Sequence, residues 1–289
     1  MRYTVKQFYA EYPDDEACLR KVFLDRYGEK PTCPHCHRES KFYPVTGRKC
    51  FACEFCGGQL HPLADTIFHK SSTSLKDWFY AIYLFAISKN GVSAKELERQ
   101  IGVTYKTAHR MAMQIRKLME QPEGNPLDGH IEVDETYIGG KHNSRQRFSS
   151  KSVVFGMVER KGRAHIKHVK SNGSRALIPE IMNHAFVGST FYSDEWRAYK
   201  VLGKTNLYRH ETVQHGIGEY VRGNIHTNTI EGVWSQLKRS INGTFHHVSP
   251  KYLQRYVDEF CFRYNMRKNE NNEIFTDLVF RINRPSRDA

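Results

Sequence analysis

Three features of the sequence predict an α/β protein whose sheet domain follows two smaller modules. Residues 33–56 hold two Cys-x2-Cys knuckles, and residues 93–119 read as a short helix, a glycine and a basic helix. From His130 onward come three strands, a helix and a fourth strand. The expected division is an N-terminal helix and metal ribbon over residues 1–70, a helix-turn-helix module over 71–122 and an α/β domain over 126–289.

Composition supports a folded, polyanion-binding chain. Of 289 residues, 39% are hydrophobic and 26% charged, enough apolar mass for a core. The longest apolar stretch, Trp78–Ile87, has ten residues, against the ~20 of a membrane span. The first residues, MRYTVKQFYAEYPDDE, contain no apolar signal region, so a cytoplasmic location is expected. Lys and Arg number 44 against 31 Asp and Glu, a net +13. The excess is shared: +5 over residues 1–125 and +8 over 126–289. Arg145–Arg175 alone holds nine basic residues and one acid, Glu159. Such a field recruits nucleic acid by neutralising phosphates.

The elements follow in order. Pro13-Asp14-Asp15-Glu16 opens a helix to about Tyr27, with acids in the first turn to suit the dipole. Cys18 inside it reads as a small core residue. Cys33-Pro34-His35-Cys36 and Cys53-Glu54-Phe55-Cys56 are sixteen residues apart, the spacing of a zinc ribbon. Cys50 offers a competing pairing, and three thiolates with His61 could also build a site. The symmetry of the knuckles favours Cys33, Cys36, Cys53 and Cys56 as the zinc ligands.

Ser74 caps a helix with Leu75, Trp78, Phe79, Ile82, Phe85 and Ala86 on one face. Ser93, with Glu96 three residues on, forms a capping box for a second helix that Gly102 ends. Thr104 opens a third, with Ala108, Met111, Ala112, Ile115, Leu118 and Met119 on its core face. Its other face shows Lys106, His109, Arg110, Gln114, Arg116 and Lys117. Lys106, Arg110 and Gln114 are the expected DNA contacts. Gln121–Pro126 is a linker.

In the second half, His130–Ile138, Val153–Val158 and Ala164–Val169 read as strands, Ala176–Phe186 as a helix and Thr190–Ser193 as a fourth strand. A helix over Asn228–Ile241 and another from Ser249-Pro250 close the domain. Three meandering strands and a crossover to a parallel fourth give a sheet covered by helices on both faces. Asp134 sits within the first strand, where a carboxylate is costly to bury without a partner or cation. Asp194 follows the fourth strand at its carboxyl end, where open sheets bind ligands. Parallel neighbours would let the two share a cation. Glu231 is the candidate third acid, flanking the stripe Ile230, Val233, Trp234, Leu237 and Ile241. Lys238 lies seven residues on, about 20° away around the helix axis. Each residue alone is weak evidence, because strand acids often pair with arginine and an Asp after a strand often caps a helix. Their combination in a basic domain is the stronger signal.

These residues carry a resemblance. CPHC…CEFC, LADTIFHKSSTSLKDWFYAIYLF, HIEVDETYIGGK, FYSDEWRAY and HTNTIEGVWSQLKRSINGTFHHVSPKYLQRYVDEFCFRYN, spanning about Cys33 to Asn265, together resemble the DDE transposases of the zinc-ribbon insertion-sequence group, related to Merlin-type transposases. The resemblance implies a ribonuclease H-like fold with Asp134, Asp194 and Glu231 as the catalytic acids and Lys238 as the basic residue that follows the Glu. In part of the group Asn replaces the third acid, and Asn228 stands three residues before Glu231. Glu231 is preferred as the better magnesium ligand. Phe51 occupies the aromatic position before the second knuckle, and Cys50 is extra. The implied function is binding of element terminal repeats, then cleavage and strand transfer into target DNA with Mg2+ (or Mn2+). A homo-oligomer on double-stranded DNA, no membrane partner and a place at the bacterial nucleoid are expected. The alternatives are a transposase-derived DNA-binding regulator without catalysis, and a nuclease with the same acids but no joining step.

Overall fold

The computed structural model describes residues 3–122, 124–139, 151–219 and 221–283. The chain forms two compact units: residues 1–88, 92–118 and 269–289, and residues 89–91 with 119–268.

The first unit begins with α1 (Val5–Glu11), a helix not anticipated from sequence, closed by a capping box between Thr4 and Gln7. The anticipated helix α2 (Asp15–Tyr27) is capped by the Asp14 side chain, which accepts from Ala17 N. A three-stranded antiparallel ribbon follows: β1 (Phe42–Pro44), β2 (Phe51–Cys53) and β3 (Gln59–Leu60). Its buried Phe51 ring packs 4.3 Å, centroid to centroid, from Phe23 of α2. Helix α3 (Leu75–Ile87) starts at Ser74, whose hydroxyl accepts from Asp77 N at 3.0 Å.

Helix α4 (Ala94–Ile101) ends at Gly102, left-handed at φ 77°. A side chain there would be strained. Ser93 Oγ accepts from Glu96 N at 3.1 Å, but the Glu96 carboxylate turns to Arg99 and Gln100 rather than back to Ser93. Only half of the expected capping box forms, because two donors one turn ahead compete for the acid. Helix α5 (Tyr105–Leu118) follows directly.

In the second unit, β4 (His130–Ile138), β5 (Ser152–Glu159) and β6 (Ala164–Val169) form the antiparallel meander. Helix α6 (Ser174–His184) crosses to β7 (Thr190–Ser193), which pairs parallel with β4. A fifth strand, β8 (Arg209–Thr212), lies parallel beside β7, giving the order β6-β5-β4-β7-β8. That strand lies in the stretch the sequence leaves illegible. A small antiparallel pair, β9 (Val221–Arg222) and β10 (Ile225–His226), leads into α7 (Asn228–Ser240), and α8 (Leu253–Asn265) follows. One sheet face packs Val154, Val158 and Ile166 against Ile230, Val233, Trp234 and Leu237 of α7 and Val257 and Cys261 of α8. The other packs Ile131, Val133, Phe155 and Met157 against Leu177 and Ile181 of α6. This two-sided burial explains the apolar run of β5.

The last helix, α9 (Asn271–Arg281), belongs to the first unit, where Phe275 joins the aromatic cluster of Phe8, Tyr12 and Phe79. Among the described residues, no helix is long and apolar enough to cross a membrane.

Candidate active site

The ribbon brings Cys33, Cys36, Cys53 and Cys56 together, their sulfurs all within 4.8 Å of one another. Each knuckle is closed the same way. His37 N donates to Cys33 O at 2.8 Å, and Gly57 N donates to Cys53 O at 3.0 Å. The residue following each knuckle is left-handed, His37 at φ 57° and Gly57 at φ 69°. Sulfurs lie 3.6 Å apart for Cys33 and Cys56 and 3.8 Å for Cys36 and Cys53. A tetrahedral zinc with Zn–S of about 2.3 Å requires edges of about 3.8 Å, so the thiolates fit that ion. Cys50 stands outside the cluster, buried with its thiol 3.5 Å from Gln59 Oε1.

On α5, Lys106 and Arg110 are exposed and Gln114 is half-buried. Arg116 departs from the expected basic face. It is buried, donates from Nη2 to Val92 O at 2.8 Å and lies 5.3 Å from the Phe85 ring centroid. A guanidinium with a carbonyl and an aromatic face to satisfy it can be a core residue.

The sheet positions the acids. The parallel register pairs His130 with Thr190 and Glu132 with Tyr192. Asp134 stands two residues beyond that pairing on β4 and Asp194 directly follows the end of β7, near enough for its charge to act on Asp134. Asp134 faces α7, and its Oδ2 accepts from the Trp234 indole Nε1 at 2.9 Å. Gly156 lies opposite Asp134 in the register, and a Cβ there would collide with the Trp234 ring. The glycine admits the indole, and the indole fixes the carboxylate. Burial, followed by the charge of neighbouring Glu135 and more weakly that of Asp194, pushes the Asp134 carboxyl up to about 7. Asp194 Oδ1 accepts from Trp196 N at 3.0 Å. Glu135 points to the other face, accepting from Tyr199 Oη at 2.6 Å.

Glu231 is exposed in the first turn of α7, with Oε1 accepting from Thr227 Oγ1 at 3.1 Å. Lys238 is exposed in the last turn. The three acids are not drawn into one tight cluster. Among the described residues, the groups of three or more that bring their ligand atoms within 4.8 Å of one another are the four cysteines and His165–Glu180–His184.

The residue sequence reasoning missed is Glu132. It is fully buried and anchors α7. Its Oε2 accepts from Thr229 N at 2.7 Å and Ile230 N at 3.0 Å, and its Oε1 accepts from Thr229 Oγ1 at 2.8 Å and Arg160 Nε at 2.9 Å. A carboxylate thus sits on the positive end of the helix dipole and satisfies its free N–H groups. Arg160 continues the scaffold, donating to Asn224 O at 2.6 Å and His226 O at 3.0 Å and stacking 3.9 Å from the Tyr192 ring centroid. Arg163 likewise binds Glu159 and Pro126 O. These two members of the basic run are engaged inside the domain, while residues 145–150 of that run lie outside the described residues. The only sequence signal for Glu132 was its alternation with Asp134 on one strand face.

Comparison with known proteins gives the same reading for both regions. Residues 126–265 match the model of the ISXO2-like transposase domain, and residues 13–59 match that of the transposase zinc-ribbon domain. A protein described as an uncharacterized protein in transposable element ISH50, from Halobacterium salinarum, is 27% identical, covering 86% of this chain and 90% of the relative. A cryo-electron-microscopy structure of the simian T-cell lymphotropic virus intasome in complex with PP2A regulatory subunit B56 gamma aligns with 58% of this chain at 13% identity and a TM-score of 0.29. That match spans only 63% of the neighbour's length, and so distant a likeness carries no argument. With its ribbon and its sheet domain each matched by a transposase model, the chain belongs to the insertion-sequence transposases of the ISXO2-like, zinc-ribbon family.

Proposed function

We propose that the protein is a DNA transposase that binds the terminal repeats of an insertion sequence and performs cation-dependent cleavage and strand transfer through Asp134, Asp194 and Glu231. The reading rests chiefly on one observation. Asp134 lies on β4 and Asp194 just past the end of its parallel neighbour β7, and Asp134, held by an indole, resists ionisation in the absence of a counter-charge, which supports a shared cation. A donor set of this kind fits divalent magnesium or manganese. The strand order, an antiparallel meander followed by two parallel strands, supports a ribonuclease H-like domain.

Asp134, Asp194 and Glu231 would hold the cations, and Trp234 would orient Asp134. When bound, the ions supply neutralisation of the phosphoryl oxygens and acidification of the attacking water. Water attack on phosphorus breaks the phosphodiester and leaves a 3′-hydroxyl on the element end. The hydroxyl oxygen would then attack a target phosphorus; the new P–O bond joins the two DNAs, and the target's own P–O3′ bond breaks, leaving a free 3′-hydroxyl on the target strand. Lys238 would hold a phosphate beside the scissile bond. Glu132 fixes the start of α7 and so the height of Glu231 above the sheet. In the ribbon, Cys33, Cys36, Cys53 and Cys56 would hold zinc and give this small module its folding energy. The α4–α5 pair is a helix-turn-helix reader, with Lys106, Arg110 and Gln114 toward DNA.

The test uses labelled DNA carrying the element's own ends. Wild type should cut and join it in magnesium. Asp134→Asn, Asp194→Asn and Glu231→Gln should do neither, while all four proteins shift the same DNA in calcium. Wild-type binding without cleavage would favour the regulator. Cleavage without joining of a pre-cut end would favour the nuclease. Activity in Glu231→Gln that is lost in Asn228→Asp or Glu219→Gln would reassign the third ligand.

A further inference from the structure

Away from the strand acids, α6 and the edge strand β6 bring a second donor group together. His165 is the second residue of β6, and Glu180 and His184 are one turn apart on α6. Glu180 Oε2 lies 3.5 Å from His165 Nε2 and 3.6 Å from His184 Nδ1. His165 is only 8% exposed, yet neither its Nε2 nor Glu180 Oε2 has a hydrogen-bond partner. Buried polar atoms are rarely left so without a reason. The imidazoles stack 3.8 Å apart at 20°, setting both ring edges against one carboxylate.

These distances suit an ion better than a hydrogen bond. Zinc held at about 2.1 Å by imidazole nitrogen and carboxylate oxygen needs ligand–ligand edges of about 3.4 Å. The two measured edges lie close to that value and are long for hydrogen bonds. Two histidines and one glutamate are also a familiar three-ligand zinc set, leaving a fourth position to water. Glu180 and His184 are each about one-quarter exposed, so solvent can reach that position. His184 closes the C-terminal turn of α6, where the helix dipole favours a cation. His184 Nδ1 donates to Glu180 O at 3.0 Å in the metal-free chain, so binding through Nδ1 breaks that hydrogen bond and moves the ring proton to Nε2.

We propose that His165, Glu180 and His184 form a second divalent transition-metal site, of zinc type, that clamps the crossover helix α6 to the sheet edge. The proposal does not rest on the transposase reading, because none of these residues belongs to the strand acids or the ribbon.

The test is made on the full chain in an Asp134→Asn, Asp194→Asn background, so that the strand acids do not contribute. After equilibration with micromolar free zinc, elemental analysis should find two zinc per chain. Glu180→Gln and His184→Ala should each hold one, with unchanged far-ultraviolet circular dichroism. Cobalt added to the chain with its ribbon already zinc-loaded should give visible d–d bands without thiolate charge transfer, and His184→Ala should lack them. One zinc per chain in the parent, or two retained in both variants, overturns the site. If a variant misfolds, the cobalt spectrum of the parent decides alone: no thiolate-free band means no site.

Discussion

Replacing Asp134 by Asn should stabilise the protein in magnesium-free buffer, and more so at higher pH. A free aspartate ionises near 3.9, whereas Asp134 keeps its proton to about 7. Between those values the native state binds more protons than the unfolded chain, so stability falls as pH rises through the window. At about 1.4 kcal/mol per tenfold change in acidity, the ceiling on the penalty above pH 7 is about 4 kcal/mol. Asp134 is not wholly enclosed, and screening reduces the expected gain from Asn to about 2 kcal/mol. The amide oxygen of Asn can still accept from Trp234 Nε1, so the indole bond is kept. The assay is urea unfolding of both proteins, ribbon zinc-loaded, at pH 5 and pH 8. The variant should exceed wild type at pH 5 by about a third of the full difference and at pH 8 by all of it. Magnesium should then raise wild-type stability, by about 2.7 kcal/mol at a hundred times its dissociation constant, and leave the variant nearly unmoved. A variant less stable at pH 8, or a difference that does not change with pH, refutes the reasoning.

Three further outcomes follow from the same geometry. Glu132→Ala strands Arg160 and two helix N–H groups, and should cost about 3–5 kcal/mol in urea unfolding; a loss below about 1 kcal/mol would show that α7 is held otherwise. Cys53→Ser should lose the ribbon zinc and expose that region to limited proteolysis, whereas Cys50→Ser should keep the metal on elemental analysis, because Cys50 lies outside the cluster. Arg110→Ala should weaken binding to terminal-repeat DNA by about 1–3 kcal/mol if it reads a base, measured by gel shift against unrelated DNA, while Arg116→Met should instead lower the melting temperature with affinity unchanged.

The features legible in the sequence were those with a short repeat. The two knuckles, the stripe of α3, the glycine between α4 and α5 and the alternation of β4 are each set by neighbours within a few residues, and each formed where expected. The parallel pairing of β4 with β7 was legible because a crossover helix separates them in sequence. What escaped depends on long-range partners. Strand β8 is four residues of Arg, His, Glu and Thr, with no apolar signal, and exists only because β7 offers an edge. Helix α9 finds its place through Phe275 meeting Phe8 and Phe79, far away in sequence. Arg116 looked like a surface cation because its carbonyl partner is 24 residues earlier. Glu132 looked like one more strand acid because Thr229, Ile230 and Arg160 reach it from 28 to 98 residues away.

Two buried acids of this domain and the half-buried Asp134 show why geometry, and not acidity alone, supports the proposed cation ligand. Glu132 is the most enclosed, yet an arginine, a hydroxyl and two helix N–H groups meet its charge, so it has no need of an ion. Asp258 on α8 is also buried, and burial pushes its carboxyl up to about 7, as in Asp134. Its partner is Gln254 of its own helix, at 2.7 Å, and one oxygen has no hydrogen bond. No strand register sets a second carboxylate at its height, so protonation is the cheaper answer to its burial. Asp134 has only neutral donors, the indole and a backbone N–H, and has Asp194 nearby at the end of the adjoining strand. Protonating one acid leaves the other charged, whereas a shared divalent ion compensates both. Among these three acids, the proposed cation therefore falls to Asp134.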